Sequence, residues 1–189
     1  MSILLHVCCA PCLVYPAGVL EDEGVDFTCY FYNPNIHPFT EFKKRLNSVR
    51  SLAQERGFKL VYDKDYGLKE FLRAVVFKES KRCHFCYHSR LEKTAQMAVS
   101  GPYDAFSSTL LYSKYQNHAT ITQQGREIEA TLAIPFVYRD FRSGWQQGID
   151  ESISSGLYRQ SYCGCIYSEQ ERYDNKLKKR MRKERKLNV

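Results

Sequence analysis

Hydrophobic and polar positions divide the first third of the chain into short apolar runs separated by longer periodic stretches. Residues 2–7 (Ser-Ile-Leu-Leu-His-Val) and 26–32 (Asp-Phe-Thr-Cys-Tyr-Phe-Tyr) are rich in β-formers, the pattern of strands buried on both faces of a parallel sheet. A helix-length segment, residues 12–23, separates them. Phe42, Leu46, Val49 and Ala53 recur at spacings of four, three and four, which lays one apolar stripe along a helix that should end near Gly57. Residues 58–62 read as the next strand. Strand, helix, strand, helix, strand predicts right-handed βαβ units, and so an α/β domain with a mainly parallel sheet.

Past residue 62 the pattern loosens. It predicts helices over 68–77 and 84–99, a short strand over 104–108 and a last strand over 135–138. Ser168-Glu169-Gln170-Glu171 fits a capping box, with Ser168 as N-cap and Glu171 at the third helical position. No repeat, low-complexity tract or linker-like cluster divides the chain, so residues 1–189 read as one domain ending in a basic helix or tail from about 168–189.

Composition narrows the class. A chain of 189 residues buries a core without covalent staples, and eight cysteines are too few for a disulfide scaffold. No basic-then-apolar leader precedes Ser2 and no apolar run reaches a membrane span. The expectation is a cytoplasmic protein with reduced thiols and no membrane partner. Net charge is +7, and residues 174–189 hold eight Lys/Arg against Asp174 and Glu184. Such a segment suits a phosphate-rich partner, although a solvated helix end has the same pattern.

Seven cysteines fall into three groups: Cys8, Cys9 and Cys12; Cys83 and Cys86; Cys163 and Cys165. Cys29 stands alone in a strand, as a small buried hydrophobe does. The first group follows strand one, and parallel sheets bind ligands beyond the carboxyl ends of their strands. Thiolates there would also feel the positive end of the next helix. Three chemistries fit the groups: a structural zinc, a thioredoxin-like dithiol on Cys83 and Cys86, or an iron–sulfur cluster. Spacing leaves all three open. Cys163 and Cys165, one glycine apart, could close a strained disulfide that stores two electrons, or could bind one metal together. Among the histidines, His6 reads as core or as a residue orienting a sulfur, and His84 and His88 would share a helix face. His37 lies in Asn33-Pro34-Asn35-Ile36-His37-Pro38, a loop placed where substrates are read but also explicable as turn chemistry.

Taken in order from residue 5 to residue 168, several motifs resemble the cobalamin-independent epoxyqueuosine reductases. They are Cys8-Cys9-Ala10-Pro11-Cys12, Tyr32 to Pro38, Cys83-x-x-Cys86-Tyr87, Ser108-Thr109-Leu110-Leu111, Tyr115-Gln116, Asp140-Phe141-Arg142 and Tyr158-Arg159-Gln160-x-Tyr162-Cys163-Gly164-Cys165. The resemblance implies removal of the epoxide oxygen from epoxyqueuosine at the tRNA wobble position, which gives queuosine. It implies a four-iron four-sulfur cluster on Cys8, Cys9, Cys83 and Cys86, a redox-active pair Cys163 and Cys165, and a second, mononuclear iron nearby. The expected architecture is similar to the three-layer, adenine-nucleotide α-hydrolase-like folds.

The reaction consumes two electrons and two protons, whereas such a cluster commonly passes one electron at a time. Cys12, Cys163 and Cys165 would then form a second site that supplies an electron or polarises the epoxide oxygen. Asp140 and Tyr162 are the candidate acids, and the electron donor is one the sequence does not identify. Asn33, Asn35, His37, Tyr115, Gln116, Arg142 and Arg159 are the candidate substrate contacts. Tyr32, Tyr112 and Tyr158 offer further faces for a splayed base of the tRNA loop. Lys178, Lys179, Arg180, Arg182 and Lys183 would meet distal phosphates. Two other readings are cluster-dependent tRNA thiolation, which lacks its Gly-rich pyrophosphate loop after strand one, and a zinc-stabilised RNA-binding module.

Overall fold

A computed structural model describes residues 1–180. Four strands, β1 (Ser2–His6), β2 (Asp26–Phe31), β3 (Lys59–Tyr62) and β4 (Ala105–Ser108), form a sheet in the order β3-β2-β1-β4. All pairings are parallel, with Ser2 opposite Asp26, Thr28 opposite Lys59 and Ile3 opposite Ala105. Helices α1 (Ala10–Asp22) and α2 (Phe39–Arg56) cover one face, where Leu13, Ala17, Leu46 and Val49 pack on Ile3, Leu5 and Phe31. Helices α4 (Arg82–Ser100) and α5 (His118–Leu132) cover the other, where Leu91, Ala95 and Ile121 pack on Leu4 and Phe106. Each fully buried aliphatic side chain contributes about 1.5–3 kcal/mol. The result is the expected three-layer α/β sandwich. Cys29 is buried within its α1/α2 side, and burial raises its thiol to about 12.

The chain runs from β1 outward to β2 and β3, then returns to place β4 on the other side of β1. A crevice opens beyond the carboxyl ends of strands where the order reverses in this way. The first two helices follow their sequence signals closely. Gly57 ends α2 in the left-handed region, φ 72°, with its amide on the Ala53 carbonyl.

Later elements depart from expectation. Helix α3 (Leu68–Val75) stops before Phe77, which takes φ 63°. The strand expected over 135–138 is a single bridge between Phe106 and Phe136. Helices α5 and α6 (Trp145–Ser154) were not foreseen. The hydrophobic residues buried along α5 are Ile121 and Ile128, and Gly125 leaves the space that the Phe136 ring occupies. Helix α7 (Ile166–Tyr173) starts earlier than its capping box suggested. Cys165 is the N-cap, and its sulfur accepts the Ser168 amide at 3.4 Å. Ser168 instead donates its hydroxyl to the Cys165 carbonyl, and Glu171 pairs with Arg82. A local reason separates the readings: the glycine turn at Gly164 delivers Cys165 in extended conformation, so the helix can begin at the next residue. Residues 175–180 are helical, with Asp174 accepting the Lys176 and Leu177 amides. The expected phosphate contacts Arg182 and Lys183 lie outside the described residues. Among those described, no helix is long and apolar enough to cross a membrane.

Candidate metal centre

Beyond β1 the chain turns directly into α1, placing Cys8 and Cys9 in the turn and Cys12 in the first helical turn. The sulfurs of Cys8, Cys9 and Cys12 all lie within 4.8 Å of one another. The end of β4 supports them, because Thr109 Oγ1 accepts the Cys8 amide at 3.2 Å and donates to Cys8 Sγ at 3.5 Å. Gln160 Nε2 donates to Cys9 Sγ at 2.9 Å. Hydrogen bonds from Cys12 and then Cys9 hold the Cys8 thiol well below its ordinary value, and the Cys12 thiol rises well above its own because its S–H is held as the donor to Cys8. Burial pushes Cys9 up. Three thiols with hydrogen-bond donors aimed at two of the sulfurs are a donor set suited to a thiophilic metal.

His6 ties the strand ends together underneath. Its Nε2 lies 3.1 Å from the Tyr32 carbonyl and its Nδ1 2.9 Å from Ser108 Oγ. A carbonyl only accepts, so Nε2 carries the proton and Nδ1 accepts from Ser108. Burial lowers the imidazole to about 3 and keeps it neutral.

A second sulfur group comes from α4 and from the loop before α7. Cys86 is buried with Cys165 against Phe71 and Val75 of α3, and burial raises its thiol to about 12. Cys83 and Cys86 are close enough to Cys163 and Cys165 to feel their charges. All eight cysteines are free thiols, so the Cys163–Cys165 ring is not closed here. His84 Nδ1 lies 3.0 Å from Gln124 Nε2, and His88 Nδ1 lies 3.6 Å from a Glu92 carboxylate oxygen.

The loop carrying Cys163 and Cys165 is held by side chains from distant elements. Arg45 of α2, 2% exposed, donates to the Cys163 carbonyl at 2.7 Å and the Tyr162 carbonyl at 3.0 Å while pairing with Glu41 at 2.7 Å. Glu41 in turn accepts from the Tyr158 hydroxyl. The His37 amide donates to the Gly164 carbonyl at 2.8 Å, and the Tyr162 hydroxyl donates to the His37 carbonyl. Gly164 has φ 146°, and a Cβ there would stand 3.2 Å from Arg45 Nη1, Asn35 Nδ2 and Ile36 Cγ1. Arg45 and Arg90 were missed in the sequence. Their signal was a charged residue on an apolar stripe, Arg45 between Phe42 and Val49, and Arg90 between Tyr87 and Thr94.

The candidate substrate contacts separate into two sets. Tyr115, Gln116 and Arg159 line a cavity of about 420 Å³ together with Cys8, Cys12, Cys163 and Tyr162. Gln116 Nε2 donates to Cys163 Sγ at 3.6 Å, and Arg159 donates to the Ile149 carbonyl and the Ser152 hydroxyl. Tyr115, 86% exposed, stands edge-on to Trp145 at the cavity wall. Tyr112 lines the same wall. The other set is outside the cavity lining. Asn33, Asn35 and His37 are buried. Asn33 donates to the Val7 carbonyl at 2.9 Å, and the His37 ring packs against Tyr66 and Phe71. Asp140 and Arg142 pair at the surface, where the Arg142 guanidinium holds the Asp140 carboxyl down to about 2.

Comparison with known proteins accords with this geometry. Residues 3–171 match the family described as epoxyqueuosine reductase QueH. A protein of that name from Dehalococcoides mccartyi is 37% identical, over 91% of this chain and 94% of its own. Another from Thermotoga maritima is 36% identical, over 90% and 92%. A solved structure described as a predicted subunit of tRNA methyltransferase, from Methanocaldococcus jannaschii, superposes with a TM-score of 0.54. It covers 81% of this chain and 74% of that one at 12% identity, a likeness of fold alone. The family match spans nearly every element that builds the sulfur-lined cavity, and the chain belongs to the epoxyqueuosine reductase QueH family.

Proposed function

We propose that this chain reduces epoxyqueuosine in tRNA to queuosine in the 420 Å³ cavity, using a cysteine-bound iron–sulfur centre. The observation that carries the reading is the cavity wall itself. Sulfur from Cys8, Cys12 and Cys163 meets there with tyrosines, Trp145 and Arg159, so electron-transfer ligands and base-binding surfaces face one space. Cys8, Cys9, Cys83 and Cys86 are the proposed ligands of a four-iron cluster. Cys12, Cys163 and Cys165 are left for a second iron, and Cys12 stands where the two sites meet, beside Cys8 and Cys9 and on the same cavity as Cys163. When bound, such a centre supplies electrons and Lewis acidity.

The protein groups supply the rest. Opening the epoxide and losing its oxygen as water takes two electrons and two protons. Tyr162 is the proposed donor of one proton: it lines the cavity, burial raises its phenol to about 12 and so keeps it protonated at neutral pH, and its hydroxyl must turn from the His37 carbonyl to reach the substrate. The alternative acid, Asp140, is ionised by Arg142 at neutral pH and is not part of the lining. Tyr115 and Trp145 offer faces on which a splayed base stacks, and Gln116 and Arg159 offer donors to its polar edge. Lys178 and Lys179, beyond α7, extend a positive surface toward tRNA phosphates.

Anaerobic purification with iron and sulfide counting tests the centre. C8S should lose iron and activity together, whereas C163S should keep its visible absorption and lose deoxygenation. Full activity in C163S removes the second site, and a colourless, iron-free active protein removes the cluster. Deleting residues 174–189 should weaken tRNA binding and flatten its salt dependence; unchanged binding across a salt titration excludes that contact.

A further inference from the structure

Arg90 sits on the apolar face of α4, facing the sheet with Tyr87, Leu91 and Thr94, and is 2% exposed. An arginine there is always charged, and a charge taken out of water without a partner is strongly destabilising. Arg45, the other deeply buried arginine, has the carboxylate of Glu41. Arg90 has none within 4.0 Å among the described residues. Its fork turns instead to sulfur: Nη2 lies 3.1 Å from Cys86 Sγ, and Nε donates to the Cys86 carbonyl at 2.8 Å. The guanidinium lines the same cavity as Cys8, Cys12 and Cys163, and lies within electrostatic reach of Cys8, Cys86 and Cys163. The negative charge that balances it must therefore come from the cysteines.

We propose that Arg90 is the internal counter-cation of the cysteine centre, a positioning residue that clamps Cys86 and offsets the negative charge of the cysteine ligands. Four thiolates around one metal site bring more negative charge than the metal removes, and no other buried cation is bonded to a cysteine sulfur among the described residues. Hydrogen bonds and nearby charge of this kind set ligand affinity and reduction potential in thiolate centres. The proposal rests on the cysteines binding a metal, but not on which metal they bind.

The test uses two readouts on the full chain. In the first, Zn²⁺ alone is titrated into reduced, metal-free protein against a chromophoric chelator. R90Q should bind at least tenfold more weakly than wild type, and R90K, which keeps the charge and loses the fork, should stay within about threefold. In the second, protein loaded with iron and sulfide is titrated electrochemically, where R90Q should shift to a more negative potential and R90K should largely reverse the shift. A folded R90Q with wild-type Zn²⁺ affinity overturns the proposal, as does an unshifted potential at full iron content. Should R90Q fail to fold, R90K decides alone: a folded lysine variant with tenfold weaker Zn²⁺ binding assigns the effect to the geometry of the guanidinium fork and overturns the charge-balancing role. The zinc readout still judges Arg90 if the protein carries no iron, so a failure of the iron–sulfur reading is separable from a failure of this one.

Discussion

The two sulfur-bearing segments that meet at the cavity are held in opposite ways. Cys8, Cys9 and Cys12 are gathered by local backbone, because a strand end that turns at once into a helix brings the three sulfurs within 4.8 Å. Cys163 and Cys165 lie in a loop that joins α7 only at Cys165, its N-cap, and is otherwise positioned by Arg45, by the His37 backbone and by the shape of Gly164. A cluster of three thiols can therefore be encoded in five consecutive residues, whereas the second group depends on residues more than a hundred positions away.

The difference is open to direct attack. R45M removes the fork but keeps the volume, leaving Glu41 buried without its partner and two carbonyls unmet. Urea denaturation should show a loss of about 3–5 kcal/mol, and a loss below about 1 kcal/mol would erase the distinction between the segments. G164A forces a side chain into the left-handed region against Arg45 and Asn35, with an expected cost of about 1–3 kcal/mol. Zn²⁺ binding by the Cys8 triad should survive that change, and its loss would show that the segments are not independent.

Acid gives a third approach. Burial keeps the His37 imidazole at about 4 in the folded protein, against about 6.5 unfolded. The unfolded chain thus binds more protons between these values, and stability contributed by the neutral ring falls as pH drops through that window. From pH 7 to pH 5 the fall should be about 1–2 kcal/mol. In H37F, where a ring still fills the space between Tyr66 and Phe71, the urea midpoint should change less over the same range. The smallest effect is expected on the local side. T109V deletes both hydrogen bonds to Cys8 and should cost only about 1 kcal/mol, since the turn alone keeps the sulfurs together; a larger loss would place Cys8 under long-range control as well.

How much was legible in the sequence follows the same division. β1 and β2 were readable as short apolar runs, α1 as the helix-length segment between them and α2 by its apolar stripe, and Gly57 marks an end that only a left-handed residue makes easily. Helix α5 was not, because His118, Gln124 and Gly125 stand among Ile121 and Ile128 on its buried stripe and the space over Gly125 is filled by Phe136 from outside the helix. The cysteines were visible as candidates, yet spacing could not tell which sulfurs would be neighbours. Asn33, Asn35 and His37 could be read from sequence either as substrate contacts or as turn chemistry, because polar residues in a loop look alike whether they bind a ligand or another loop; in the structure they are buried beside the cavity lining rather than in it. Arg45 and Arg90 were silent for the converse reason: arginine on a helix is ordinary until its burial is known.

Cys165 closes the first turn of α7 with its own sulfur rather than with a hydroxyl or a carboxylate. A change of that sulfur from thiol to thiolate, metal-bound thiolate or disulfide alters its strength as an acceptor of the Ser168 amide, so the opening of the C-terminal helix is wired to the chemical state of one atom. Hydrogen exchange at that single amide is consequently a gauge of the sulfur's condition, readable without substrate and without following turnover.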